Sequence, residues 1–154
     1  MSKAMTPAET VKRFLDIMMA KDYERGLALV AADVEYDNVP MGKVEGPEGI
    51  RAVLEPFFGP TITNEYKVLR EVSDGATVIL ERLDRHLLES GWVELPVTGI
   101  FEVREGKIAL WRDYSDLPTT MSKWPAAASR PFLPICTRLP YPSGRIRTPP
   151  HHHI

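Results

Sequence analysis

Apolar residues recur at helical spacing over the first third of the chain and at alternating spacing over most of the rest. Thr6-Pro7-Ala8-Glu9 is a helix start. Thr6 can cap, Pro7 suits the first turn, and Glu9 completes a capping box. Val11, Phe14, Leu15, Met18 and Met19 then share one helical face. A second helix is predicted from near Asp22 to about Ala32, carrying Tyr23, Leu27 and Val30 inward. Val34 to Asn38 reads as a short extended piece stopped by Pro40 and Gly42. Gly46-Pro47-Glu48-Gly49 opens a third helix with Ile50, Val53, Leu54, Phe57 and Phe58 on its apolar side, and Gly59-Pro60 ends it.

Four strands follow. They run from about Asn64 to Val72, Thr77 to Leu88, Trp92 to Val103 and Ile108 to Asp116. Short turns at Ser73-Asp74-Gly75, Glu89-Ser90-Gly91 and Arg104-Glu105-Gly106-Lys107 join them. Strands joined by such turns are antiparallel neighbours. Helices segregated from an antiparallel sheet predict an α+β fold. A curved sheet wrapped on about three helices leaves one concave mouth, the natural place for a deep pocket.

The pattern stops after Trp124. Seven of the fourteen prolines lie between Pro125 and Pro150, and no periodicity survives. The expected division is a folded domain over 1–124 and an irregular tail over 125–154. The charge divides at nearly the same place. From Met121 onward the chain is +5 with no acid, and the first 120 residues are -7. The overall charge of -2 points to neither nucleic acid nor an anionic membrane as partner. No apolar run approaches the length of a membrane span. The single cysteine, Cys136, excludes an intrachain disulfide and a cysteine metal cluster, and a cytoplasmic location is expected. His151-His152-His153 reads as a remnant or chance run rather than a metal site.

Chemistry enters with Glu81-Arg82-Leu83-Asp84-Arg85. Side chains of a strand alternate between faces, so Val78, Leu80, Arg82, Asp84 and His86 share one. An arginine and an aspartate thus project from a face that begins apolar. Taken alone, such a strand is most often a solvated face with a weak ion pair. Buried, the pair would need full partners. A second carboxylate beside it would leave two acids on one cation. Acids so placed split their pKa values, one keeping its proton while the other is ionised. Asp113, in Trp111-Arg112-Asp113-Tyr114, is the candidate for that second acid. Tyr36 and Asn38 share a face of the first strand and offer donor and acceptor atoms.

Tyr36-x-Asn38-x-Pro40-Met41, Glu81-Arg82-x-Asp84 and Gly106-Lys107-Ile108-x-x-Trp111-Arg112-Asp113-Tyr114-x-Asp116-Leu117 occur in that order. From about Thr6 to Leu117 the chain resembles the limonene-1,2-epoxide hydrolase family, within the folds similar to nuclear transport factor 2 and ketosteroid isomerase. The resemblance implies a base at Asp113 that deprotonates water and an acid at Asp84 that protonates the epoxide oxygen. It implies that Arg82 bridges the two and that Tyr36 and Asn38 hold the water. It further implies one-step epoxide opening to a vicinal diol, with no cofactor and no metal. The expected partners are a small apolar epoxide, cyclic ones included, and water, and a homodimer is expected. Leu80, Leu95, Val97, Leu54 and Phe58 are expected to wall the pocket, with His86 at its rim. His86 and Ser115 are polar where the family often has apolar wall residues.

Two other readings stay open at this point. An isomerase of the ketosteroid type would need one carboxylate base and a neutral oxyanion donor, not an arginine between two acids. A non-catalytic binding or dimerisation module would need neither.

Overall fold

A computed structural model describes residues 3–39 and 41–125. Helix α1 spans Pro7–Met19. Its capping box is formed: Thr6 Oγ1 accepts from the Glu9 N–H at 3.2 Å, and Glu9 Oε2 accepts from the Thr6 N–H at 3.1 Å. The face predicted to be apolar is buried in full, from Val11 to Met19. Each such side chain contributes roughly 1.5–3 kcal/mol on leaving water.

The second helix is shorter than expected. Helix α2 is only Tyr23–Leu27, and strand β1 begins at Val30 and runs to Val39. The physical reason lies in the partner strand. Val30 pairs with Ile108, and the Ile108 N–H donates to the Leu29 carbonyl at 2.9 Å. Val30 and Val34 are stiff, β-branched residues that bury well on a pleated surface. The chain then turns back at Gly42, whose φ of 115° is open to glycine. That turn forms an unforeseen strand β2, Gly42–Glu45, antiparallel to β1. Helix α3, Gly46–Phe58, buries Ile50, Leu54 and Phe58.

Strands β3 (Thr63–Asp74), β4 (Thr77–Leu88), β5 (Gly91–Arg104) and β6 (Lys107–Ser115) lie close to their expected bounds. They form the antiparallel run β3-β4-β5-β6, and β1 joins β6 in parallel. The full order is β2-β1-β6-β5-β4-β3, a curved sheet that does not close. This is the expected α+β architecture. A helix not foreseen, α4 (Leu117–Lys123), follows β6. Asp116 is its cap and accepts from the Thr119 N–H. Trp124 at its end is buried, stacks on Phe57 at 4.3 Å and donates from Nε1 to the Phe57 carbonyl.

The main core lies between α1, α3 and the sheet. Phe14 meets Trp111 edge-on at 5.3 Å, while Tyr36 stacks on Trp111 at 4.2 Å. This aromatic group floors the site described next. No helix among the described residues is long and apolar enough to cross a membrane. The proline-rich stretch 126–154, with Cys136 and the histidine run, lies outside the described residues.

Candidate active site

Every second residue of β4 from Val78 to Leu88 is buried. The alternation therefore sends Arg82, Asp84 and His86 inward beside Val78 and Leu80. Arg82 is 2% exposed, Asp84 7% and Asp113 6%. Burial on this scale requires complete pairing, and the pairing is present. Arg82 Nε donates to Asp84 Oδ1 at 2.8 Å and Nη2 to Asp84 Oδ2 at 3.2 Å. Nη1 donates to Asp113 Oδ1 at 3.1 Å and Nη2 to Asp113 Oδ2 at 2.7 Å. One planar fork thus grips two carboxylates, a geometry an ammonium cannot supply.

Two acids on one cation leave an excess negative charge, and a bound proton relieves it. Burial raises the Asp84 pKa, the Arg82 guanidinium pulls it down, and the Asp113 carboxylate pushes it up again; the net direction is upward. Burial alone would lower the Arg82 pKa, but the two carboxylates outweigh it and fix the cation. The arrangement has one group suited to giving a proton and one placed to take one.

Asp113 reaches Arg82 across β5, and Gly99 lies between them. Gly99 pairs with Asp113 on one side and with Leu80 on the other. A Cβ there would stand 2.5 Å from Arg82 Nη1 and 2.6 Å from Asp113 Oδ1. Gly99 is a site residue that no sequence motif names. Its signal was a glycine inside a strand pattern, which marks close approach by another group. Trp111 is a second residue to join the site. It is core, yet its Nε1–H also donates to Asp113 Oδ1 at 2.8 Å. The two-residue spacing of Trp111 and Asp113 on β6 puts both on one face.

The parallel pairing of β1 with β6 sets Asn38 directly beside Asp113 and Tyr36 beside Trp111. Asn38 Nδ2 donates to Tyr36 Oη at 3.0 Å. Burial, then the Asp113 charge, raises the Tyr36 pKa, so the phenol keeps its proton as a donor. Asn38 Oδ1 is buried and has no hydrogen-bond partner among the described residues. An acceptor left so is costly. Three groups that can fix one water therefore converge: the Asp113 carboxylate, the Tyr36 hydroxyl and the Asn38 carbonyl oxygen.

These residues line a pocket whose other walls are mainly apolar. Leu54, Phe58, Leu95, Val97 and His86 all face it, as does Ser115. Leu80 does not. It is fully buried in the core beneath, where the same strand face has not yet emerged into the pocket. Met41, Phe57 and Thr120 are wall residues that were not foreseen. Thr120 was missed because α4 was. Among the described residues, no group of three or more His, Cys, Asp or Glu side chains is placed to hold a metal ion.

Comparison with known proteins gives the family. The family model described as limonene-1,2-epoxide hydrolase catalytic domain matches residues 5–126. This chain belongs to the limonene-1,2-epoxide hydrolase family. The family match takes in the whole polar cluster and every described element from α1 to α4. A relative, epoxide hydrolase EphG of Mycobacterium tuberculosis, is 34% identical over 107 residues, covering 70% of this chain and 71% of EphG. The solved structure of an M. tuberculosis epoxide hydrolase similar to limonene-1,2-epoxide hydrolase superposes with a TM-score of 0.65 at 28% identity. That match covers 85% of this chain and 94% of the other. A SnoaL-like polyketide cyclase from Shewanella putrefaciens gives a TM-score of 0.69 at 12% identity, over 79% of this chain and 97% of that one. At that identity the likeness concerns fold alone. The fold of the chain is NTF2-like.

Proposed function

We propose that this chain is an epoxide hydrolase that adds water in one step to a small apolar epoxide, cyclic ones included, giving a vicinal diol. The observation that carries the reading is the buried Arg82 fork gripping Asp84 and Asp113, with the unpartnered Asn38 oxygen beside Asp113. Tyr36 and Asn38 hold a water against Asp113. Asp113 takes its proton as the water oxygen bonds to an oxirane carbon. The carbon–oxygen bond of the ring breaks, and Asp84 gives its proton to the departing oxygen. Return of a proton from Asp113 to Asp84 completes the cycle. Base and acid act on different atoms, and Arg82 holds them apart at a fixed geometry.

The isomerase alternative has no use for a second buried carboxylate on Arg82, and a binding module has none for either. The deciding experiment is a diol-formation screen over terminal and cyclic epoxides, with Asp113→Asn as control. Diol from at least one apolar epoxide, lost in the variant while the fold persists, is the expected result. No diol from any member, or equal turnover by the variant, would overturn the reading.

A further inference from the structure

His86 stands two residues beyond Asp84 on the same buried face of β4, roughly 7 Å along the strand. It is 1% exposed and lines the pocket. Phe57 and Trp124 meet its ring edge-on, at 5.5 and 5.0 Å between centroids. The water-activating cluster makes no use of it.

Its proton can be placed from its neighbours. His86 Nδ1 lies 2.7 Å from Asn64 Oδ1. The orientation of the Asn64 amide is fixed by its other end, where Nδ2 donates to the Met19 carbonyl at 3.1 Å. The atom facing the ring is therefore an oxygen, which can only accept, so Nδ1 carries the hydrogen. Burial, helped by the Arg82 charge, pushes the His86 pKa down to about 4. The ring is neutral at neutral pH, and Nε2 is then a bare acceptor. Among the described residues Nε2 has no hydrogen-bond partner. Leu95, Val97, Phe57 and Phe58 offer it no side-chain donor, and the Thr120 hydroxyl, also on the pocket wall, donates to the Asp116 carbonyl at 3.0 Å.

We propose that His86 determines specificity: its Nε2 accepts a hydrogen bond from a hydroxyl group on the substrate. The pocket would then take epoxides bearing a hydroxyl a few bonds from the oxirane ahead of their purely hydrocarbon counterparts. A neutral donor is indicated, since apolar walls disfavour an ammonium. The proposal deepens the epoxide hydrolase reading and rests on it.

Two measurements test it. The first compares kcat/KM for cyclohexene oxide bearing a hydroxymethyl group with that for the methyl analogue, in wild type and His86→Leu. Wild type should favour the alcohol by about tenfold, and the variant should lose that preference. An unchanged preference in the variant would overturn the proposal. The second needs neither turnover nor a variant. Nitrogen NMR of histidine-labelled wild type identifies His86 as the ring still uncharged in mildly acid buffer. Its Nε2 should be unprotonated, and its signal should move with cyclohexylmethanol but not with methylcyclohexane. A proton on Nε2, or an equal response to both compounds, would overturn the proposal. Should neither epoxide be turned over by wild type, the full diol screen decides the epoxide reading, and the NMR result alone decides whether His86 accepts a hydroxyl.

Discussion

Gly99 and Asp113 face each other across the β5–β6 pairing, and the missing Cβ of Gly99 leaves the space in which Asp113 meets Arg82. Both neighbours of that space are held: Arg82 is gripped by two carboxylates, and Asp113 also accepts from Trp111. A Cβ 2.5 Å from Nη1 cannot be absorbed without moving the bridge. Gly99→Ala should therefore lower stability by about 1–3 kcal/mol, the usual range for overpacking. It should also lower turnover by about a hundredfold, since displacement of about 1 Å at a reacting centre has effects of that size. Urea unfolding and steady-state kinetics on one preparation check both. A variant with wild-type rate would mean that the bridge tolerates displacement.

Arg82→Lys retains the charge and removes the fork. One ammonium cannot give two in-plane donors to each of two carboxylates. Turnover should fall strongly while a folded protein remains. Arg82→Ala should be worse for the fold, losing about 3–5 kcal/mol because two buried carboxylates lose their cation. Chemical denaturation of the pair of variants separates charge from geometry. Equal stability of the two would contradict this.

Asp84 should set the alkaline limb of the rate profile. Its pKa is raised by burial, with Arg82 opposing and Asp113 reinforcing. It holds a proton below that raised pKa and loses it above. Rate should fall as pH rises through it. Asp84→Asn cannot give up a proton in the same way, so its residual rate should lack that limb. A limb of unchanged position in the variant would assign the titration elsewhere.

His86 should mark the acid side of stability. Unfolded histidine titrates near 6.5, and the folded ring is held down to about 4 by burial first and Arg82 second. Between those values the unfolded chain binds a proton that the folded chain does not. Stability is therefore full above about pH 6.5 and is lost as pH falls toward 4, by about 3 kcal/mol. His86→Leu should remove most of that dependence. Urea midpoints at several pH values measure it, and parallel curves for wild type and variant would refute it.

The strands that carry charge were legible because alternation is strict there. From Thr77 to Leu88 the period of two sends Arg82 and Asp84 to one face, and the fold follows it. The capping box at Thr6 and Glu9 was as plain. The stretch from Ala28 to Ala32 misled because its apolar residues fit helix and strand alike, and only pairing with β6 decides. Leu80 was placed on the right face but not in the right layer, since depth along a strand depends on what α1 and α3 cover. The role of Gly99 was invisible for a different reason: it is defined by side chains 17 residues before it and 14 after it. Trp111 as a donor needed its packing, with Tyr36 stacked on it and Phe14 edge-on, to be known.

The central claim is that Asp113 activates a water that attacks the epoxide directly. A carboxylate nucleophile would pass one of its own oxygens to the product in the first turnover. Both candidate carboxylates are instead engaged with Arg82, and Tyr36 and Asn38 stand where a water would be held. The direct test is a single turnover in oxygen-18 water, with enzyme in excess over a cyclic epoxide. The predicted result is one labelled oxygen in every diol molecule and no label in peptides containing Asp84 or Asp113. Unlabelled diol, or label in either aspartate, would contradict it.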